Sequence, residues 1–132
     1  AGIAADPTNV YLWSACGLFE SRFGDPEAAL RMFEQATILD KTHCQTWQAY
    51  GVMLEKRGDF EEAAVKFSTA IQVNPLSVPT YQAYGLMEAR RGRPDAARLL
   101  FEKGLRIDAR HAPILHAWAR MEEEEGNYAK AR

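Results

Sequence analysis

Apolar residues along this chain recur at helical spacing rather than in strict alternation, and the spacing itself repeats. Trp13, Trp47, Tyr81 and Leu115 stand 34 residues apart. Three residues after each come Cys16, Tyr50, Tyr84 and Trp118, followed at once by Gly17, Gly51, Gly85 and Ala119. Positions i, i+3 and i+4 share one face of an α-helix. A second set follows in the same register: Ala29, Ala63, Ala97 and Ala131, then Phe33, Phe67 and Phe101, then Ala36, Ala70 and Gly104. Between the sets lies Gly24, Gly58, Gly92 or Gly126, a signal that ends the first helix. The second helix opens on a cap, with Asp25 ahead of Pro26 and Asp59 followed by Glu62 as a capping box. Pro94 stands two periods after Pro26 in the same role, and Asn127 is the matching cap in the fourth unit. The pattern predicts helices over roughly 9–23, 26–39, 43–57, 60–73, 78–91, 94–107 and 112–125, with another from 127.

A helix pair of this kind cannot cover its apolar stripe alone, so neighbouring pairs must stack on it. The expected fold class is therefore all-α, a right-handed α-solenoid of antiparallel helix pairs. Its repeats run 9–42, 43–76 and 77–110, with an incomplete one at 111–132. Pro7 stands two periods before Pro75, so residues 1–8 read as the tail of a preceding repeat. Neither end carries a polar capping helix, and the chain reads as a stretch of a longer array.

Composition narrows the picture. Hydrophobic residues make up 47% and charged residues 26%, which is too apolar for a disordered chain. The formal net charge of −2 excludes a wholesale polyanion binder but leaves room for a local basic patch. Residues 77–110 are such a patch: seven basic against four acidic side chains give them a net +3, whereas residues 9–42 sum to −2 and residues 43–76 to −1. No apolar run approaches the roughly 20 residues of a membrane span. The first nine residues have no signal-peptide pattern, and two cysteines, Cys16 and Cys44, point to a reducing compartment.

The aromatic, glycine, alanine and phenylalanine columns at this period resemble the tetratricopeptide repeat. A variant, the half-a-tetratricopeptide (HAT) repeat, is resembled as well. Its glutamate column appears as Glu20, Glu88 and Glu122, and its Ala-Arg pair as Ala97-Arg98 and Ala131-Arg132. Leu54 and Ala64 depart from the pattern in the second repeat, and Leu30 stands in the first where the arginine belongs. The wording of the first repeat is similar to plastid HAT proteins that mature and stabilise photosystem II transcripts. That resemblance implies single-stranded RNA as the partner, bound in a concave groove, with proteins of an RNA-maturation complex beside it and a chloroplast stromal location. The plain tetratricopeptide resemblance implies instead a scaffold for an extended peptide or a partner helix, and fold alone does not choose between them.

In this family the first helices line the concave face. One column there reads Ser14, Gln48, Gln82 and His116, hydrogen-bonding side chains suited to base edges. Another reads Arg22, Lys56, Arg90 and Glu124, whose three cations suit phosphates. Either ladder is also what a solvated helix face looks like, and a cation in a last turn also complements the helix dipole. Arg91 extends the basic track, while Arg98 reads as a structural partner of Glu88 across the hairpin. Trp13, Trp47, Tyr81 and Trp118 occupy core columns. Tyr11 lies off the core stripe and is the candidate for base stacking. No catalytic constellation or cofactor motif is present. Cys16 and Cys44 fall in different columns, and His43, His111 and His116 lack the spacing of shared metal ligands. The run Glu122 to Glu125 reads as a solvated face. The chain is expected to bind rather than to catalyse.

Overall fold

The glycine column and the phenylalanine column meet in space, and that meeting builds each hairpin. A Cβ placed on Gly17, Gly51 or Gly85 would lie 2.6, 2.7 or 2.5 Å from the ring edge of Phe33, Phe67 or Phe101 respectively. Each ring belongs to the second helix and lies sixteen residues after its glycine. The rings are fully buried, as are Ala29, Ala63 and Ala97, four residues before them. Only a bare backbone on the first helix admits a ring so close, and the small alanines bring the two helices together.

The structure is a computed structural model that describes residues 9–131, with side chains through residue 126. Seven helices and no strands occur among the described residues. They are α1 (Val10–Phe23), α2 (Pro26–Leu39), α3 (Cys44–Lys56), α4 (Phe60–Val73), α5 (Val78–Arg90), α6 (Pro94–Ile107) and α7 (Ala112–Ala131). The first six agree with the expected spans to within one residue at every end. Residues 1–8 and Arg132, read from sequence as a repeat tail and part of an Ala-Arg pair, lie outside the described residues.

The helices fall into two compact units, Ala1–Pro75 and Leu76–Arg132, divided beside the boundary between the second and third repeats. In unit 1, hairpins α1–α2 and α3–α4 pack on each other chiefly through α2 and α3. In unit 2, α7 packs on the hairpin α5–α6. The core cluster of unit 2 joins Val78, Ala97, Phe101, Ile114 and Met121, with Trp118 against its edge.

Turn chemistry sets the hairpins. Gly58 and Gly92 take the left-handed conformation, with φ of 86° and 78°. They let Asp59 N and Arg93 N donate to the carbonyls of Leu54 and Glu88, both at 2.9 Å. Gly24 differs, with φ of −133°, and there the Glu20 carboxylate accepts the Asp25 N–H at 3.0 Å in place of a backbone carbonyl. Asp25 caps α2 as expected, accepting from Glu27 N at 3.0 Å. The capping box at Asp59 does not form. The Asp59 carboxylate instead lies 3.8 Å from Arg57 Nε.

The largest departure from the sequence expectation is at Gly126, where α7 runs on to Ala131 without a break and Asn127 lies inside the helix instead of capping a new one. A glycine inside a helix costs about 1 kcal/mol. Breaking the helix there would orphan its last carbonyls. Among the described residues nothing lies within 4 Å of the Gly126 Cβ position.

One face remains open among the described residues. Phe19 is 59% exposed although Met53, Met87 and Met121 in the same column are 5%, 0% and 6% exposed. It packs on Phe23, with ring centroids 5.3 Å apart.

Candidate binding grooves

The first helices of consecutive repeats lie side by side, α1 with α3 and α5 with α7. Each pair leaves a groove, of about 330 Å³ in unit 1 and about 480 Å³ in unit 2. The first is lined from α1 by Leu18, Ser21 and Arg22, and from α3 by Gln48, Val52 and Lys56 among others. The second is lined from α5 by Leu86, Ala89 and Arg90, and from α7 by His116, Arg120 and Glu124 among others. Each of these residues is the counterpart, 68 positions on, of its namesake in the first groove. The two grooves are thus the same columns built twice. The repeat period dictates this, because a residue's place on its helix recurs with the period.

Six of the nine candidate residues stand on these walls. Arg22, Gln48 and Lys56 come together in unit 1, and Gln82, Arg90 and His116 in unit 2. Arg22, Lys56, Arg90 and His116 are exposed, and both glutamines are half-buried. The Gln82 amide oxygen is already engaged by His111 Nε2, 3.2 Å away.

The other three stand elsewhere. Ser14 is buried at 6% exposure and lines neither groove. Its column sits at the base of the helix face, where a glutamine reaches the surface and a serine does not. Arg91 is drawn inward: its side chain is only 10% exposed and its Nη1 lies 3.1 Å from Glu88 Oε1. Glu88 is itself nearly buried, and Arg93 stands 3.8 Å from its other oxygen. A buried carboxylate needs such a cation, so Arg91 is removed from any ligand track. Tyr11 is 68% exposed, but it stands edge-on to the His43 ring with centroids 4.9 Å apart, outside both grooves.

Arg98 also takes a different partner. Its Nε meets Glu122 Oε1 at 2.5 Å, joining α6 to α7, and its Nη1 meets Asp95 at 2.8 Å. Glu88 is already held by Arg91 and Arg93, so the pair Arg98–Glu88 does not form. The hydrogen bond from Arg98 holds the Glu122 carboxyl below the usual carboxylate range, and that from Glu122 raises the guanidinium.

The aromatic columns serve the interior. Tyr81 is buried, while Trp13, Trp47 and Trp118 are half-buried. Tyr50 stacks on Phe33 with centroids 6.2 Å apart, and Lys66 Nζ sits 4.9 Å over its ring. Burial, helped by Glu34 and Glu62, pushes the Tyr50 phenol upward.

Sequence reasoning missed the apolar lining and Arg120. Val52 and Leu86 were visible as a column of the first helices, and Arg120 as their counterpart four residues ahead of Glu124. Among the described residues, no group of three or more His, Cys, Asp or Glu side chains is placed to hold a metal ion. No helix there is long and apolar enough to cross a membrane.

No family model matches the chain, and no curated protein sequence matches it. Solved structures do. The chain is similar to the tetratricopeptide domain of OM64 from Arabidopsis, with a TM-score of 0.79 at 14% identity over 87% of this chain and 95% of that one. It is similar to PilF of Pseudomonas aeruginosa, with a TM-score of 0.83 at 23% identity over 98% of this chain and 60% of that one. YrrB, described as a tetratricopeptide protein with an unusual peptide-binding site, gives 0.75 at 22% identity over 83% of this chain and 56% of that one. With the helix hairpins and their 34-residue register, these likenesses establish an all-α helical-repeat fold of the tetratricopeptide type.

Proposed function

We propose that the chain is a binding module that takes an extended polypeptide segment in the grooves between its first helices. The observation that carries this reading is the duplicated groove. Nearly the same columns form it in both units, and each copy combines apolar lining with hydrogen-bonding side chains, Gln45 and Gln48 in unit 1 and Gln82 and His116 in unit 2. That mixture suits a polypeptide, whose side chains need apolar seats and whose backbone needs hydrogen-bonding partners. YrrB, of like fold, is described by its peptide-binding site.

Single-stranded RNA is the second reading, and the plastid location belongs with it. The exposed cations Arg22, Lys56 and Arg90 favour it. Against it stand the loss of Arg91 to Glu88 and the commitment of the tryptophan and tyrosine columns to the interior, which leaves no Trp, Tyr or Phe ring on either groove wall.

A parallel selection tests the choice. The whole chain is presented with a random peptide library and with a random single-stranded RNA pool. Peptide binding predicts an enriched peptide family whose affinity falls when exposed groove positions are filled by Gln45→Trp and His116→Trp. Enrichment of an RNA motif alone, weakening with salt at a log–log slope of about −2 for three phosphate contacts, would overturn it.

A further inference from the structure

We infer that the groove of unit 1 selects an acidic polypeptide segment, with carboxylates at Arg22 and Lys56 beside an apolar side chain seated on Leu18, Val52 and Met53. This rests on the peptide-binding reading and adds the chemistry of the ligand.

Because the two grooves share their columns, their differences isolate what each one selects. Where unit 1 has Arg22 and Lys56, unit 2 has Arg90 and Glu124. Where unit 1 has Val52, unit 2 has Arg120, whose Nε lies 3.5 Å from Glu124 Oε1. Unit 2 therefore brings an acid to its own Arg120. The charged residues lining the unit 1 groove are both positive, and among the described residues neither has an acidic partner. The nearby acids are in use. Glu27 and Asp59 face Arg57, Asp25 caps α2, and Glu20 holds the turn at Gly24.

A position in the last turn of α1 or α3 favours a cation through the helix dipole, which accounts for the one positive residue in the last turn of each helix. It does not account for the apolar lining beside them. Met53 is buried, Val52 is half-buried, and Leu18 is 42% exposed, all on the same groove. Arg22 offers a planar fork that matches a carboxylate, and Lys56 a compact charge. Gln45 and Gln48 supply amides for the ligand backbone. A protein segment supplies both the carboxylates and the apolar side chain. A nucleic acid supplies charge but no side chain for Leu18 and Val52.

The test uses the whole chain and a random peptide library, with a single-stranded RNA pool alongside. Enriched peptides are synthesised and titrated by fluorescence anisotropy against wild type, Arg22→Gln, Lys56→Gln and the double variant, whose helicity is checked by circular dichroism. A fifth protein, Val52→Arg with Lys56→Glu, carries the self-compensated lining of unit 2 in unit 1. The expected result is enrichment of peptides that place an acidic residue beside Leu, Ile or Met. The double glutamine variant weakens them about tenfold and flattens their salt dependence, and the transplanted lining abolishes the acidic preference. Enriched peptides without acidic bias, bound equally by all variants, would overturn this inference and leave the peptide-binding reading standing. Enrichment of RNA with no peptide would overturn both.

Discussion

Gly51→Ala is the sharpest probe of how the hairpins are built. The new methyl would meet three atoms of the Phe67 ring at 2.7, 2.8 and 3.0 Å. An ordinary carbon–carbon contact needs about 3.5 Å, so the ring would have to retreat by about 0.8 Å. Phe67 is fully buried and has no free space to retreat into. Overpacking of this kind costs about 1–3 kcal/mol, and alanine's helix preference returns at most about 1 kcal/mol. With the full return the net expectation is a loss of up to about 2 kcal/mol, read by urea unfolding followed by circular dichroism. The control is the same substitution in a Phe67→Leu background. Leucine lacks the ring edge that the methyl meets, so Gly51→Ala there should stabilise by up to about 1 kcal/mol. If the substitution has the same sign and size in both backgrounds, close approach is not what demands glycine at this column.

Three further outcomes follow from the same geometry. Gly126→Ala should raise stability by about 0.5–1 kcal/mol, since the site lies within α7 with nothing near its Cβ; a loss in thermal unfolding would point to a break in the helix there. Phe101→Ala should cost about 3–5 kcal/mol, because the ring is fully buried against Gly85 and Trp118, and a cost near 1 kcal/mol would argue against that packing. Leu54→Ala should cost about 2–5 kcal/mol by denaturant unfolding, since its side chain is 8% exposed between packed helices, and a neutral result would place it at the surface.

The hairpins were legible because each core column has one physical task that recurs at every period. Phe33, Phe67 and Phe101 fill the same space against Gly17, Gly51 and Gly85, so the register alone locates them. The grooves were legible only in part. Their cations could be read from the columns, but side-chain length and partner choice could not. Ser14 shares a column with Gln48 and is buried because it is shorter. Arg57 and Arg91 share a column and part ways because of a neighbour: Glu88 captures Arg91, whereas Leu54 leaves Arg57 to reach Glu27 at 3.1 Å. Such choices turn on which charge is nearest in three dimensions, and a periodic pattern does not encode that.

Two departures from the HAT-like columns, Leu30 and Leu54, belong together. Arg98 and Glu122 join α6 to α7 through an ion pair at 2.5 Å, with side chains 35% and 46% exposed. Sixty-eight residues earlier the same two columns hold Leu30 and Leu54, 9% and 8% exposed, on the packed helices α2 and α3. At this pair the charge is missing from both positions at once, as expected if the two share an interface where a lone charge is costly; Glu88, whose counterpart in the other column is Ala64, is held instead by Arg91 and Arg93. Leu30→Arg or Leu54→Glu alone should therefore cost about 3–5 kcal/mol, while the double variant recovers at least about 1 kcal/mol of the summed loss. The reverse exchange, Arg98→Leu with Glu122→Leu, should change pH dependence. Glu122 is held below its unfolded value, so its contribution is present above the ordinary carboxylate range and fades as pH falls through the folded value. The leucine pair removes that fading, so unfolding followed at successive pH values should show less loss on acidification than wild type. Strict additivity of Leu30→Arg and Leu54→Glu, together with an unchanged pH profile for the leucine pair, would mean that the two columns do not act as one contact.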